Sequence, residues 1–240
     1  MDFFYTFPHM AFSREKMIGG VLVLVCLVAI LYGGWLQFGP SAKYRGLTTR
    51  LDVQIDDATR AYLENQIKTD QASVNAAKLA GKEVDLNLYA SISSNAYSLG
   101  WLAVSKEALD AELKANPINY GAWNNLGSVL EAMGDFKNAR ASYEKALDVS
   151  AGKGPEKFYI DEVNILEAHF AGEQDKIKAV LELALSTKGQ TSWNMVMLGR
   201  WYNVHGDCQS AIEHFKVAQS LSPKNTSIGE ELQTIEGTCK

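Results

Sequence analysis

Few side chains in this sequence could do chemistry. His205, Cys208 and His214 fall within ten residues of one another, and imidazole and thiolate are good zinc ligands, but their spacing matches no Cys/His module. No metal is expected. Asp161 with Glu162, and Glu230 with Glu231, are sequence neighbours. Adjacent residues point to different sides of a helix, which argues against a carboxylate dyad. His9 and His169 have no chemical companion. No glycine loop followed by Lys and Ser/Thr is present to cradle a phosphate, and there is no nucleophile elbow. The chain therefore offers no catalytic residue, calls for no cofactor and is not expected to be an enzyme. Three cysteines, Cys26, Cys208 and Cys239, are too few for a disulfide scaffold. Cys26 sits in an apolar run, which leaves one pair.

The elements that must position these groups follow from composition and patterning. The chain has 240 residues, 47% of them apolar, enough to bury a core without metals or cross-links. Its formal charge of −5 arises entirely beyond the first forty residues, where Arg14 and Lys16 balance Asp2 and Glu15. No cluster of Lys and Arg marks a phosphate-binding face, so no nucleic-acid partner is expected.

Between Lys16 and Lys43 no charged side chain occurs, and Met17 to Leu36 supplies twenty residues of which eleven are Ile, Leu or Val. As a helix they span roughly 30 Å, the thickness of a bilayer core. Tyr32 and Trp35 fall where an interfacial belt belongs. The segment is longer than a signal-peptide core and is followed by Gln37-Phe38-Gly39-Pro40 rather than a small-residue cleavage site. An N-terminal tail (1–16) and an uncleaved single transmembrane helix (17–38) are therefore expected. Arg14 and Lys16 on one side nearly balance Lys43, Arg45 and Arg50 on the other. The adopted orientation puts the N-terminus inside a plasma or inner membrane and the remaining domain outside. A linker with a preceding helix or helices (39–85) follows, apolar residues recurring at helical spacing from Leu51 to Leu79.

Beyond residue 85 the sequence repeats. Ser192 to Asn225 carries Leu198-Gly199, Tyr202, Gly206-Asp207, Ala211, Phe215, Ala218 and Pro223. From Tyr120, Trp123, Leu126-Gly127, Gly134-Asp135, Ala139, Tyr143 and Ala146 stand at corresponding positions. Small residues at Gly127 and Ala139, or Gly199 and Ala211, let two helices approach closely. Tyr143 or Phe215 then fills the space against the next unit. The pattern resembles the tetratricopeptide repeat (TPR) family, whose unit is a 34-residue helix pair. The resemblance covers about four units over 86–225, clearest in 120–153 and 192–225. Ser105 and Glu112 stand where alanines are usual in the first unit, and Asn164 and Ile165 replace leucine and glycine in the third. Residues 226–240, with Ile228, Leu232 and Ile235 on one side, form an expected capping helix. The fold class is thus all-α, a transmembrane helix followed by a TPR-type helix-turn-helix solenoid.

What the resemblance implies comes with it. Partners of this family lie in a concave groove lined by the first helix of each pair. Carried over position by position, that groove takes Tyr97 in the first unit, Asn124, Ser128 and Glu131 in the second, Tyr159, Glu162 and His169 in the third, and Trp193, Arg200 and Asn203 in the fourth. These aromatics and hydrogen-bonding groups suit an extended peptide or a partner helix. The bland alternative is a solvated helix face. Arg200 meets either a partner's carboxylate or Glu162. Cys208 and Cys239 are brought near each other at the end of the stack; they pair if the domain is exported and stay free if it faces the cytosol. A bond there closes about 30 residues, worth ~3 kcal/mol in the chain-entropy view. The expected function is a membrane-anchored protein–protein interaction module: a scaffold, assembly factor or accessory subunit binding a protein or peptide. The alternatives are a permanent structural subunit of a membrane oligomer and a cytosol-facing targeting receptor.

Overall fold

The computed structural model describes residues 43–239. The expected tail (1–16), the transmembrane helix (17–38) and residues 39–42 lie outside them. Two units are distinguished, divided between Leu47 and Thr48. The described part of the first is a tight turn in which Leu47 N–H donates to the Tyr44 carbonyl at 3.0 Å.

The second unit is a solenoid of ten α-helices, with no strand among the described residues. A single helix, α1 (Asp57–Leu79), precedes four helix pairs: α2 (Leu86–Ser98) with α3 (Leu102–Ala115), α4 (Tyr120–Met133) with α5 (Phe136–Ser150), α6 (Lys157–His169) with α7 (Gln174–Lys188), and α8 (Ser192–Val204) with α9 (Cys208–Leu221). A last helix, α10 (Thr226–Thr238), closes the stack. Each helix packs chiefly on its neighbours in sequence, which is the signature of a solenoid. Among the described residues no helix is long and apolar enough to cross a membrane.

Local chemistry explains where the helices begin and turn. The Asp56 side chain accepts from Thr59 N–H at 2.8 Å and opens α1. Leu51 and Ile55 therefore precede the helix, although their spacing continues its period. They belong to an extended stretch tied to the solenoid: Thr48 N–H donates to the Met133 carbonyl at 2.9 Å and Leu51 N–H to the Gly100 carbonyl at 2.8 Å. A Cβ on Gly100 would lie 2.4 Å from the Leu51 carbonyl oxygen, so this close approach needs glycine. Within the second and fourth pairs, the same Gly-Asp step makes the turn. Gly134 and Gly206 take positive φ (84° and 78°), and the following Asp135 and Asp207 cap α5 and α9. In the third pair Glu173 stands at that position without a side-chain cap bond; it pairs with Arg140 at 2.8 Å and Lys176 at 2.7 Å instead.

The core runs along the helix seams. A Cβ on Gly127 would meet the Tyr143 ring at 2.5 Å, and one on Gly199 the Phe215 ring at 2.6 Å. The large ring thus occupies the space left by a glycine of its own pair, and Phe215 also joins the buried cluster that includes Ile228 and Leu232 of α10. The other two pairs exchange volumes at the same positions. Ser93 and Ser105 share a buried hydrogen bond of 2.9 Å in the first pair, and Ile165 is fully buried at the equivalent position of the third.

Candidate functional site

The first helices of the pairs carry the candidate groove. Tyr97 on α2 is 43% exposed and Ser128 on α4 is half-buried. Both line one hollow of about 310 Å³, together with Ser94, Ser98, Asn125 and Lys157. Its walls come from α2, α4 and α6, and the Ser93–Ser105 pair lies at its floor. One aromatic ring, several hydroxyls, an amide and an ammonium thus converge on a surface that can pair with peptide groups and cover an apolar side chain.

Below this surface a polar network fixes the helices. Asn124, 2% exposed, donates through Nδ2 to Asp161 Oδ2 at 2.8 Å, and Asp161 also takes the Lys157 ammonium at 2.5 Å. The α4 and α6 walls are therefore clamped to each other by a buried amide. The Tyr143 hydroxyl donates to Glu131 Oε2 at 2.8 Å and lies 3.2 Å from Ser128 Oγ. Burial pushes the Tyr143 phenol upward, so it stays protonated and serves as a donor. Asn124 and Glu131 act in the groove as supports for its shape.

The structure turns several predicted groove residues elsewhere. Tyr159 is buried, with its hydroxyl 2.8 Å from Thr187 Oγ1. Glu162, 1% exposed, faces the seam between α5 and α7 rather than the groove. His169 stacks on Phe136 with ring centroids 3.4 Å apart. Trp193 is half-buried and packs against two apolar clusters, one of the second and third pairs and one of the third and fourth. Arg200 is exposed and meets Glu231 of α10 rather than Glu162: its guanidinium forms two bonds to that carboxylate, at 2.7 and 2.8 Å. Those bonds raise its already high pKa. Asn203 is exposed, its Oδ1 4.0 Å from Cys239 Sγ. Only Tyr97 and Ser128 of the predicted set are brought into one hollow.

Ser94, Ser98, Asn125 and Lys157 were missed. The serine-rich α2 sequence, with Ser94 and Ser98 one turn apart, was the available signal; Lys157 had none, because it opens the weakest repeat. Cys208 and Cys239 are joined by a disulfide with Cα atoms 5.7 Å apart, so the Cys208 sulfur is committed to that bond. His205 stacks on Trp201 and His214 Nδ1 lies 2.7 Å from the Ser210 carbonyl. Among the described residues no group of three His, Cys, Asp or Glu could hold a metal ion.

Comparison with known proteins agrees with this architecture. Residues 120–152 match the tetratricopeptide repeat family model. Among solved structures, a MamA crystal structure superposes with a TM-score of 0.58 at 17% identity, covering 74% of this chain and 99% of that one. MamA from Desulfovibrio magneticus RS-1, residues 41 to the end, gives 0.53 at 17% identity over 64% and 84%. YrrB, described as a TPR protein with an unusual peptide-binding site, gives 0.56 at 14% identity over 72% and 84%. At these identities the likeness is one of fold. No curated protein matches the chain. Residues 120–152 thus carry a tetratricopeptide repeat, set within a helical-repeat solenoid of the same fold as these structures.

Proposed function

We propose that this protein is a membrane-anchored interaction module that holds a protein or peptide partner in the concave hollow around Tyr97. The observation that carries the reading is that hollow: an exposed aromatic ring among hydroxyl, amide and ammonium groups, on walls fixed by the Asn124–Asp161–Lys157 network. Anchor residues of protein interfaces are characteristically aromatic, and polar neighbours set their register. Peptide binding in the related fold of YrrB is consistent with the reading.

The anchor is the charge-free run Met17 to Leu36. The Cys208–Cys239 bond supports an exported repeat domain, because such bonds persist in oxidising compartments. The N-terminus then lies inside a plasma or inner membrane, and the module works as a scaffold, assembly factor or accessory subunit there.

The test is affinity capture after in-cell crosslinking, from detergent-solubilised membranes, of the intact chain and a Tyr97→Ala, Asn125→Lys variant checked for fold by circular dichroism. A specific partner lost at least tenfold with the variant supports the groove. Capture unchanged by the variant rejects it, and self-association alone transfers the reading to a structural subunit. Labelling with a membrane-impermeant thiol reagent, before and after reduction of intact cells, reports orientation: labelling only after reduction is expected.

A further inference from the structure

A second hollow lies between different helices of the solenoid. It measures about 350 Å³ and lies between α5 and α7, with Leu147, Val180 and Leu183 as its apolar walls and Glu162 within it. Leu183 is exposed, although it is large and apolar. Glu162 comes from α6, the helix on which Ile165 replaces the close-packing glycine of the second and fourth pairs. The α6–α7 pair is accordingly the least closely packed of the four. Glu162 Oε2 is buried and has no hydrogen-bond partner among the described residues. A buried carboxyl oxygen without a partner costs on the order of 1–3 kcal/mol, so the site carries an unmet demand for a polar partner.

The charged groups around it do not meet that demand. Arg140 binds Glu144 and Glu173, each at 2.8 Å, and Lys176 binds Glu173 at 2.7 Å. Lys145 binds Asp148 at 2.8 Å. The rim cations are thus already engaged with rim carboxylates, and the inner carboxyl is left over. Burial, reinforced by Glu144, pushes the Glu162 carboxyl up to about 8, so near neutrality it holds a proton.

We infer that this hollow is a second docking site, which takes a lysine or arginine side chain of a protein partner, its methylenes on Leu147, Val180 and Leu183 and its cationic head on Glu162. The chemistry is complementary in both halves. A basic side chain buries an apolar stem and presents several donors at its tip. Its positive charge turns Glu162 into a carboxylate, releasing the proton to solvent. The site is independent of the concave groove, and a partner could engage both hollows.

n-Butylguanidinium, which reproduces the tip and stem of arginine, is the probe, with n-butylurea as its uncharged analogue. The full-length chain is labelled on its Leu and Val methyl groups and titrated with each by NMR. Saturable shifts of the Leu147, Val180 and Leu183 methyls are expected, with butylguanidinium binding at least tenfold tighter than butylurea and tightening as pH rises from 7 to 9. Glu162→Gln, which keeps the shape of the side chain, is expected to abolish both the charge preference and the pH dependence while leaving the butylurea shifts in place. Equal binding of the two probes, or a charge preference that survives Glu162→Gln, overturns the proposal, as does the absence of saturable shifts at these methyls.

Discussion

At the scale of single residues, volume exchange at two positions decides how closely each helix pair can pack. Gly127 accepts the Tyr143 ring and Gly199 the Phe215 ring, while a fully buried Ile165 stands at the equivalent place in the third pair. Gly199→Leu drives a side chain into the Phe215 ring, and a loss of about 2–3 kcal/mol is expected from overpacking, read from the urea midpoint. The two glycines were legible in the sequence because each recurs with an aromatic residue at a fixed spacing. The role of Glu162 was not, since periodicity gives a helical position but not which seam a side chain enters. Its carboxyl is raised above the unfolded value, so its contribution to stability is full below the unfolded pKa and is lost as pH rises through about 8. Glu162→Gln is therefore expected to flatten the decline in stability between about pH 5 and pH 8. A pH series of urea melts on the two proteins checks this, and identical slopes would refute the burial argument.

Among the elements, the ends of the solenoid depend on different bonds from its middle. The capping helix α10 buries Ile228, Leu232 and Ile235 and is stapled to the start of α9 by Cys208–Cys239. Closing a loop of this length contributes about 3–4 kcal/mol in the chain-entropy view. Cys239→Ser is expected to lower stability by about that much and to expose the α10 amides to hydrogen exchange before those of α8; reduction of the wild type should reproduce the effect. Arg200→Ala should cost no more than about 1 kcal/mol by thermal melting, because the Arg200–Glu231 pair is solvent-exposed. The pairs, their Gly-Asp turns and the closing helix were readable from residues such as Gly134-Asp135 and Gly206-Asp207. The start of α1 was not, because Asp56 halts an apolar period that by itself runs back to Leu51. The groove was read unevenly for a related reason. Position in a repeat places a residue on the first helix, but Tyr159 and Trp193 are large and apolar enough to be drawn into the seams, while Arg200 finds Glu231 on the helix beyond the repeats.

At the scale of the whole molecule, stacked helix pairs bring Tyr97, Ser128 and Lys157 to one hollow, while their buried apolar residues lie between neighbouring helices. The central claim is that this hollow contacts a partner in the cell. A photo-crosslinking amino acid placed at position 97 or 125 of the full-length chain, and at exposed position 216 on α9 as a control, reads that contact directly. Position 97 and position 125 are expected to trap the same partner on irradiation, and position 216 is expected to trap none of it. Trapping from position 216 alone, or no adduct from positions 97 and 125 while the partner still co-purifies with the chain, would contradict the assignment of the groove.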